Sequence, residues 1–198
     1  MSSYSELFRA EGEEISKLGE TIDANQIDQL LAMIGDNRHN IFVTGCGTSA
    51  MAARKIVHTL NVIGLAAFYL NPSDAVHGGL GQIRNDDVVI FISKGGSTKE
   101  LTSFVNNCID KKAKIIAITE NTDSILAKDA DLVVCIKVDR ELDEFNMLAT
   151  NSTLAVISLF DVVATVIMKK ENFTKENFLM NHPSGKVGQQ LAEDVKHD

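Results

Sequence analysis

Three features of this chain predict a parallel α/β sheet with helices on both faces. Short, uninterrupted runs of Val, Ile and Phe recur, as in Val88-Val89-Ile90-Phe91-Ile92, and such runs read as strands buried on both sides. Helix-like spacing separates each run from the next, at the length a crossover between parallel strands needs. Two of the runs end in small, polar, Gly-rich loops, Gly45-Cys46-Gly47-Thr48-Ser49-Ala50 and Ser93-Lys94-Gly95-Gly96-Ser97-Thr98. The resulting order βαβαβαβαβ gives a five-stranded, mostly parallel sheet.

Residues 3 to 19 carry Tyr4, Leu7, Phe8, Ile15 and Leu18 on an irregular apolar face and read as a helix. Asp23 or Asn25 caps a second helix, which holds Ile27, Leu30, Leu31 and Ile34 and closes near Gly35. Asn40–Thr44 is the first strand, followed by a helix with Met51, Ile56, Val57 and Leu60. Ala66–Leu70 is the second strand. Beyond it, Asp74–Leu80 is a short helix or loop that contains His77. The third strand, Val88–Ile92, precedes a helix with Leu101, Phe104, Val105 and Cys108 on one side. Lys114–Thr119 is the fourth strand, Asp123 or Ser124 caps a short helix, and Asp131–Val138 is the fifth strand.

Residues 139 to 149 form a charged connection whose carboxylates read as solvated. Thr150-Asn151-Ser152-Thr153 opens a helix from Leu154 to about Met168. It is apolar almost all round, so it is expected to be buried in the domain or at a subunit interface. Thr174 starts a short helix with Phe178 and Leu179, Asn181–Gly185 is a turn, and a helix from Val187 to about Val195 ends the chain. The expected organisation is one domain over 1–198, with N-terminal helices (1–38), an α/β core (39–168) and a C-terminal helical extension (169–198).

The composition narrows the function. The 198 residues with 44% apolar content suit one ordinary domain with an ample core. A net charge of −8 argues against nucleic acid or an anionic membrane as partner. No basic segment followed by an apolar run opens the chain, and no 18 apolar residues run uninterrupted, so neither a leader nor a membrane span is expected. Cys46, Cys108 and Cys135 are scattered and odd in number, which fits a reduced, cytoplasmic protein and not a disulfide framework or a zinc site.

Both Gly-rich loops read as anion cradles. Glycines let the backbone approach a ligand, the first helical N–H groups point at it, and hydroxyls add donors. The second loop is not a P-loop, because Lys94 precedes the glycines. Gly45-x-Gly47-x-x-Ala50 satisfies the dinucleotide fingerprint, but the ribose-binding acid at the end of the second strand is missing and Asp74 comes late. A nicotinamide cofactor is therefore not expected.

Five motifs converge on a known family. They are Gly45-Cys46-Gly47-x-Ser49, Pro72-x-x-Ala75-x-His77-Gly78-x-Leu80-Gly81, Ile92-Ser93-x-x-Gly96-x-x-x-Glu100, Thr150-x-Ser152-Thr153 and His182-Pro183-x-Gly185-x-x-Gly188. In this order, over nearly the whole chain, they resemble the SIS (sugar isomerase) domain, and within it the arabinose 5-phosphate isomerases. The resemblance implies a flavodoxin-like three-layer sandwich that binds a small phosphosugar, needs no metal or redox cofactor, and forms its sites between subunits of a homotetramer. It implies aldose–ketose isomerisation through an enediolate, with arabinose 5-phosphate and ribulose 5-phosphate as a candidate pair. A non-catalytic phosphosugar sensor is the alternative.

By the same resemblance, Gly47, Thr48, Ser49, Ser93, Gly95, Gly96, Ser97 and Thr98 bind the phosphate, with Ser152 and Thr153 in support. Glu141, His182, His77 and Glu100 match the family's active-site acids and histidines. His182 would open the sugar ring, Glu141 would be the C1/C2 base, its pKa best raised by burial, and His77 and Glu100 would position the substrate and exchange protons. Two departures stand out. The family's Lys after the second glycine of the first loop is Thr48 here, and its Ser-Gly-Glu is Gly95-Gly96-Ser97. Lys94 is offered as the replacement cation. The CBS pair that often follows this domain is not expected in this chain.

Overall fold

In the computed structural model, residues 3–35 and 38–197 are described. Met1, Ser2, Asp36, Asn37 and Asp198, which the single-domain expectation includes, lie outside the described residues. The strands are β1 (Ile41–Gly45), β2 (Ala67–Tyr69), β3 (Val88–Ile92), β4 (Lys114–Thr119) and β5 (Leu132–Cys135). They are all parallel and lie in the order β2-β1-β3-β4-β5. One row of register partners, Tyr69, Val43, Ile90, Ile116 and Leu132, crosses the whole sheet.

The period-two alternation of a strand divides the apolar residues between two cores. In β3, Val88, Ile90 and Ile92 join one core while Val89 and Phe91 join the other. Helices α1 (Tyr4–Thr21), α2 (Ala24–Ile34), α3 (Thr48–Val62) and α8 (Asn151–Lys170) cover the first face, through Leu18, Leu30, Ile56, Leu60 and Phe160. Helices α4 (Pro72–Ala75), α5 (Lys99–Thr102), α6 (Val105–Asp110) and α7 (Ile125–Lys128) cover the second, through Ala75, Leu101, Phe104, Cys108 and Leu126. The expected single helix after the second Gly-rich loop is thus two short pieces, α5 and α6, that keep one buried side.

Capping follows the sequence closely. Ser3 and Glu6 form a capping box at the start of α1, and Asp23 caps α2. Ser124 caps α7, so of the two candidates there the serine is used. The extension consists of α9 (Lys175–Asn181) and α10 (Gly185–His197), which pack on each other, α9 also touching the far end of α3.

Helix α8 is long and apolar enough to cross a membrane by length and composition, with a mean hydropathy of 1.8 over an 18-residue window. The expectation from uninterrupted apolar runs missed this. Yet Ala155, Val156, Leu159, Phe160, Val163, Ala164 and Ile167 are buried in the first core. Val162 is 58% exposed, so burial all round is not reached within one chain. Val162 lines an apolar groove with Ile15, Leu18, Ile22 and Ile27.

Phe160 is fully buried at the centre of the first core. Truncating it to Ala is expected to cost about 3–5 kcal/mol, from lost transfer energy plus a cavity. Urea titration followed by circular dichroism should show a lower midpoint with an unchanged slope.

Candidate active site

Strands β1 and β3 are neighbours, but α3 leaves β1 for one face of the sheet and α5 leaves β3 for the other. A crevice opens at the carboxyl ends of strands where connections part in this way. The two Gly-rich loops flank it. The first runs from Gly45 into α3. Gly47 takes a φ of +56°, and α3 has no side-chain cap, so its first-turn N–H groups are open to an anion. An added Cβ on Gly45 would crowd the backbone of Ser49 at 2.9 Å. Thr48 is exposed and Ser49 half-buried.

The second loop is braced from inside and from the neighbouring strand. Ser93 Oγ lies 2.9 Å from Thr98 Oγ1 and accepts from Gly96 N at 3.1 Å. Thr119 Oγ1, at the end of β4, donates to the Lys94 carbonyl at 2.9 Å, and Glu120 N donates to the same oxygen at 3.0 Å. Gly96 has a φ of +64° and faces Ser124, so a Cβ there would overlap Ser124 Oγ. Gly95 and Ser97 point outward and are exposed.

A small cleft of about 70 Å³ lies between these loops and the start of α8. Ser49, Lys94, Thr119, Glu120, Ser152 and Thr153 supply its polar lining, against Ile92, Ile118 and Ile136. Glu120 escaped the motif reading. Its one signal in the sequence is an acid directly after an apolar strand.

Glu141 adjoins the cleft and is 1% exposed, so it is not one of the solvated carboxylates expected of the connection. Its Oε1 accepts from Lys94 Nζ at 2.8 Å. Its Oε2 accepts from Thr150 N at 2.9 Å, Thr150 Oγ1 at 3.2 Å and Ser152 N at 3.1 Å. The carboxylate therefore caps α8 from a distance, where a negative charge also suits the helix dipole. Burial pushes its pKa up, but the Lys94 ammonium and the donors of Ser152 and Thr150 outweigh this and hold it down at about 2. Burial does not leave Glu141 with a raised pKa, as expected of a base; the carboxyl is a fixed anion.

The other expected acid and base residues divide into two groups. Glu100 and His77 are exposed on the α4 and α5 side of the crevice. Cys46 sits beside them; burial, with the Glu100 carboxylate in support, pushes its thiol pKa up. Next to them Arg54 stacks on the Tyr69 ring, with Cζ 3.9 Å from its centroid, a contact no motif announced. His182 is elsewhere. It ends α9, and its neighbour Asn181 donates to the carbonyl of Val62, the last residue of α3, at 3.0 Å. The length of α3 puts this roughly 20 Å from the first loop. Within one chain, then, His182 does not join Glu141, Glu100 and His77. Its Nδ1 is buried without a hydrogen-bond partner. Among the described residues no three His, Cys, Asp or Glu side chains are grouped to hold a metal ion.

Residues 34–166 match the family model of the SIS domain. The chain is 34% identical to arabinose 5-phosphate isomerase KdsD of Francisella tularensis, over 97% of its own length and 59% of that protein. It is 31% identical to arabinose 5-phosphate isomerase KpsF of Escherichia coli, over its full length and 64% of that protein. The chain thus spans less than two thirds of these relatives. Among solved structures, a Listeria monocytogenes protein provisionally named a sugar-phosphate isomerase is 43% identical, with a TM-score of 0.88 over 91% of this chain and 94% of that one. An Escherichia coli CFT073 protein in complex with arabinose 5-phosphate is 28% identical, with a TM-score of 0.85 over 89% of this chain and 94% of that one.

The depressed Glu141 pKa has a consequence for acid stability. A carboxyl whose folded pKa lies below its unfolded value stabilises fully above the unfolded value, and that stability is lost as pH falls through the folded one. Between about pH 4.5 and about pH 2 the protein should lose on the order of 3 kcal/mol from this group. Urea unfolding at pH 7, 4 and 2.5 should show the loss in wild type. Glu141→Gln should start less stable and lack this part of the slope.

Proposed function

The chain belongs to the SIS-domain family, and from that premise we propose that it is a sugar-phosphate aldose–ketose isomerase. Its candidate pair is arabinose 5-phosphate and ribulose 5-phosphate. The single observation that carries this reading is the fixed, ionised carboxylate of Glu141 beside a cleft bounded by two Gly/Ser/Thr loops at the strand switch point. The named relatives and the neighbour bound to arabinose 5-phosphate support the substrate class. The free thiols of Cys46, Cys108 and Cys135 suit a cytoplasmic setting.

In this reading the loop residues Gly47, Thr48, Ser49, Ser93, Gly95, Gly96, Ser97 and Thr98 hold the phosphate, and Ser152 and Thr153 support the sugar. Anchoring the phosphate fixes C1 and C2 against the catalytic groups. Glu141 takes the hydrogen from C2 as a proton and returns it to C1, with an enediolate between the two steps. His77 and Glu100 position the hydroxyls and exchange their protons. Ring opening needs a group that donates and accepts protons near neutral pH, a role assigned to His182. Because His182 lies at the far end of α3, the reading makes the protein a homotetramer in which His182 completes a neighbour's site.

Proton NMR in D₂O with a panel of aldose and ketose phosphates tests the activity. Loss of a C1 or C2 proton signal identifies enediolate chemistry and names the sugar. Binding of one sugar with no exchange of any would replace the isomerase by a phosphosugar sensor. Glu141→Gln should lower turnover at least 1,000-fold while phosphosugar binding survives; equal loss of both would make Glu141 structural. Ser93→Ala should weaken phosphosugar affinity about tenfold, and unchanged affinity would remove the second loop from the site.

A further inference from the structure

Among the described residues that line the cleft, Lys94 is the one cation. It sits where two demands meet. The Glu141 carboxylate is asymmetric: Oε2 takes three donors from the start of α8, and Oε1 takes Lys94. Oε1 is therefore the oxygen that has room for a proton, and only after Lys94 has left it. Reaction at carbon also generates an oxyanion within reach of the same carboxylate, and that oxyanion needs a nearby cation or donor.

The pair is built so that the lysine moves and the acid stays. The Glu141 side chain is 2% exposed, whereas that of Lys94 is 42% exposed. The Lys94 backbone is held through its carbonyl by Thr119 and Glu120, which leaves the four-carbon stem to swing. Glu141, from the connection before α8, and Glu120, from the end of β4, are the other charged groups at this end of the cleft. Arg140 is turned away, donating to the carbonyls of Glu141 and Asp143.

We propose that Lys94 is a catalytic cation with two positions, on Glu141 Oε1 as seen here and on the reacting oxygens of the sugar during turnover. The inference rests on the isomerase reading above. As Lys94 leaves, Glu141 becomes a better base. Oε1 takes the C2 hydrogen as a proton, the C–H electron pair becomes the C1–C2 double bond, and the carbonyl pair moves onto O1. Lys94 faces the negative charge there. The proton on O2 passes to O1, the charge moves to O2, and the proton on Glu141 goes to C1. Lys94 then returns to Oε1. It donates hydrogen bonds throughout and gives up no proton.

The test uses Lys94→Met and Lys94→Arg in the full chain, with the sugar that wild type exchanges. Lys94→Met should lower kcat on the order of 100-fold while KM changes less than about threefold. The acidic limb of its residual kcat/KM profile should move up by at least one pH unit, because Glu141 has lost its cation. Lys94→Arg should recover at least a tenth of the wild-type rate. If Lys94→Met does not fold, Lys94→Gln keeps a donor to Glu141 without the charge and carries the same expectations. A kcat within threefold of wild type, or a loss confined to KM with an unmoved acidic limb, overturns the proposal. A wild-type protein that exchanges no sugar hydrogen fails the isomerase reading itself, and this inference with it.

Discussion

The ion pair between Lys94 and the buried Glu141 ties together the parts from which the cleft is built. One partner leaves the central strand and the other leads into α8. An uncompensated charge at a site this closed would cost several kcal/mol. The pairing therefore fixes where the second Gly-rich loop stands relative to the start of α8. Two of the three donors on the other carboxylate oxygen, the N–H groups of Thr150 and Ser152, serve the helix as well, since they would otherwise lie unpaired at its first turn. One side chain thus closes a helix end and fixes a loop that lines the cleft.

The sheet supplies the frame for this. Its two cores draw on alternate residues of the same strands, so β1 and β3 are held from both sides and their carboxyl ends are stiff. A stiff edge with a parting of connections above it leaves a crevice between loops, lined by Ile92, Ile118 and Ile136. The polar groups that line the cleft stand on short extensions of rigid elements: Lys94 two residues beyond β3, Glu120 one residue beyond β4, and Ser152 in the first turn of α8. Such placement limits the drift that would otherwise blunt proximity effects.

Much of this is legible in the sequence. The strands announce themselves because runs such as Val88–Ile92 are buried on both faces and so carry no polar interruption. The two loops announce themselves through their glycines. The environment of Glu141 does not. It sits in Asp139-Arg140-Glu141-Leu142-Asp143-Glu144, a stretch with no periodicity, and its burial depends on Thr150, nine residues on, and Lys94, 47 residues back. A local pattern holds no trace of such partners; only resemblance to a family singled the residue out. Glu120 is hidden for a similar reason, since an acid after a strand becomes interesting only once the strand is known to end at a cleft. The apolarity of α8 is plain in its composition, but which of its sides the sheet takes follows from helix packing.

The contact between Gly96 and Ser124 bears on how this loop can change over evolutionary time. Because the serine occupies the space a side chain at 96 would need, and the backbone there is left-handed, that position is closed to variation unless the fold itself is remade. Ser93 and Thr98 are likewise committed to each other. Gly95 and Ser97 lie outside this frame, exposed to solvent, whereas Lys94 is committed to Glu141. The loop is thus a rigid frame with two rewritable letters. Substitutions there come at little cost to the scaffold, so variation at the mouth of the loop can be explored before stability is put at risk.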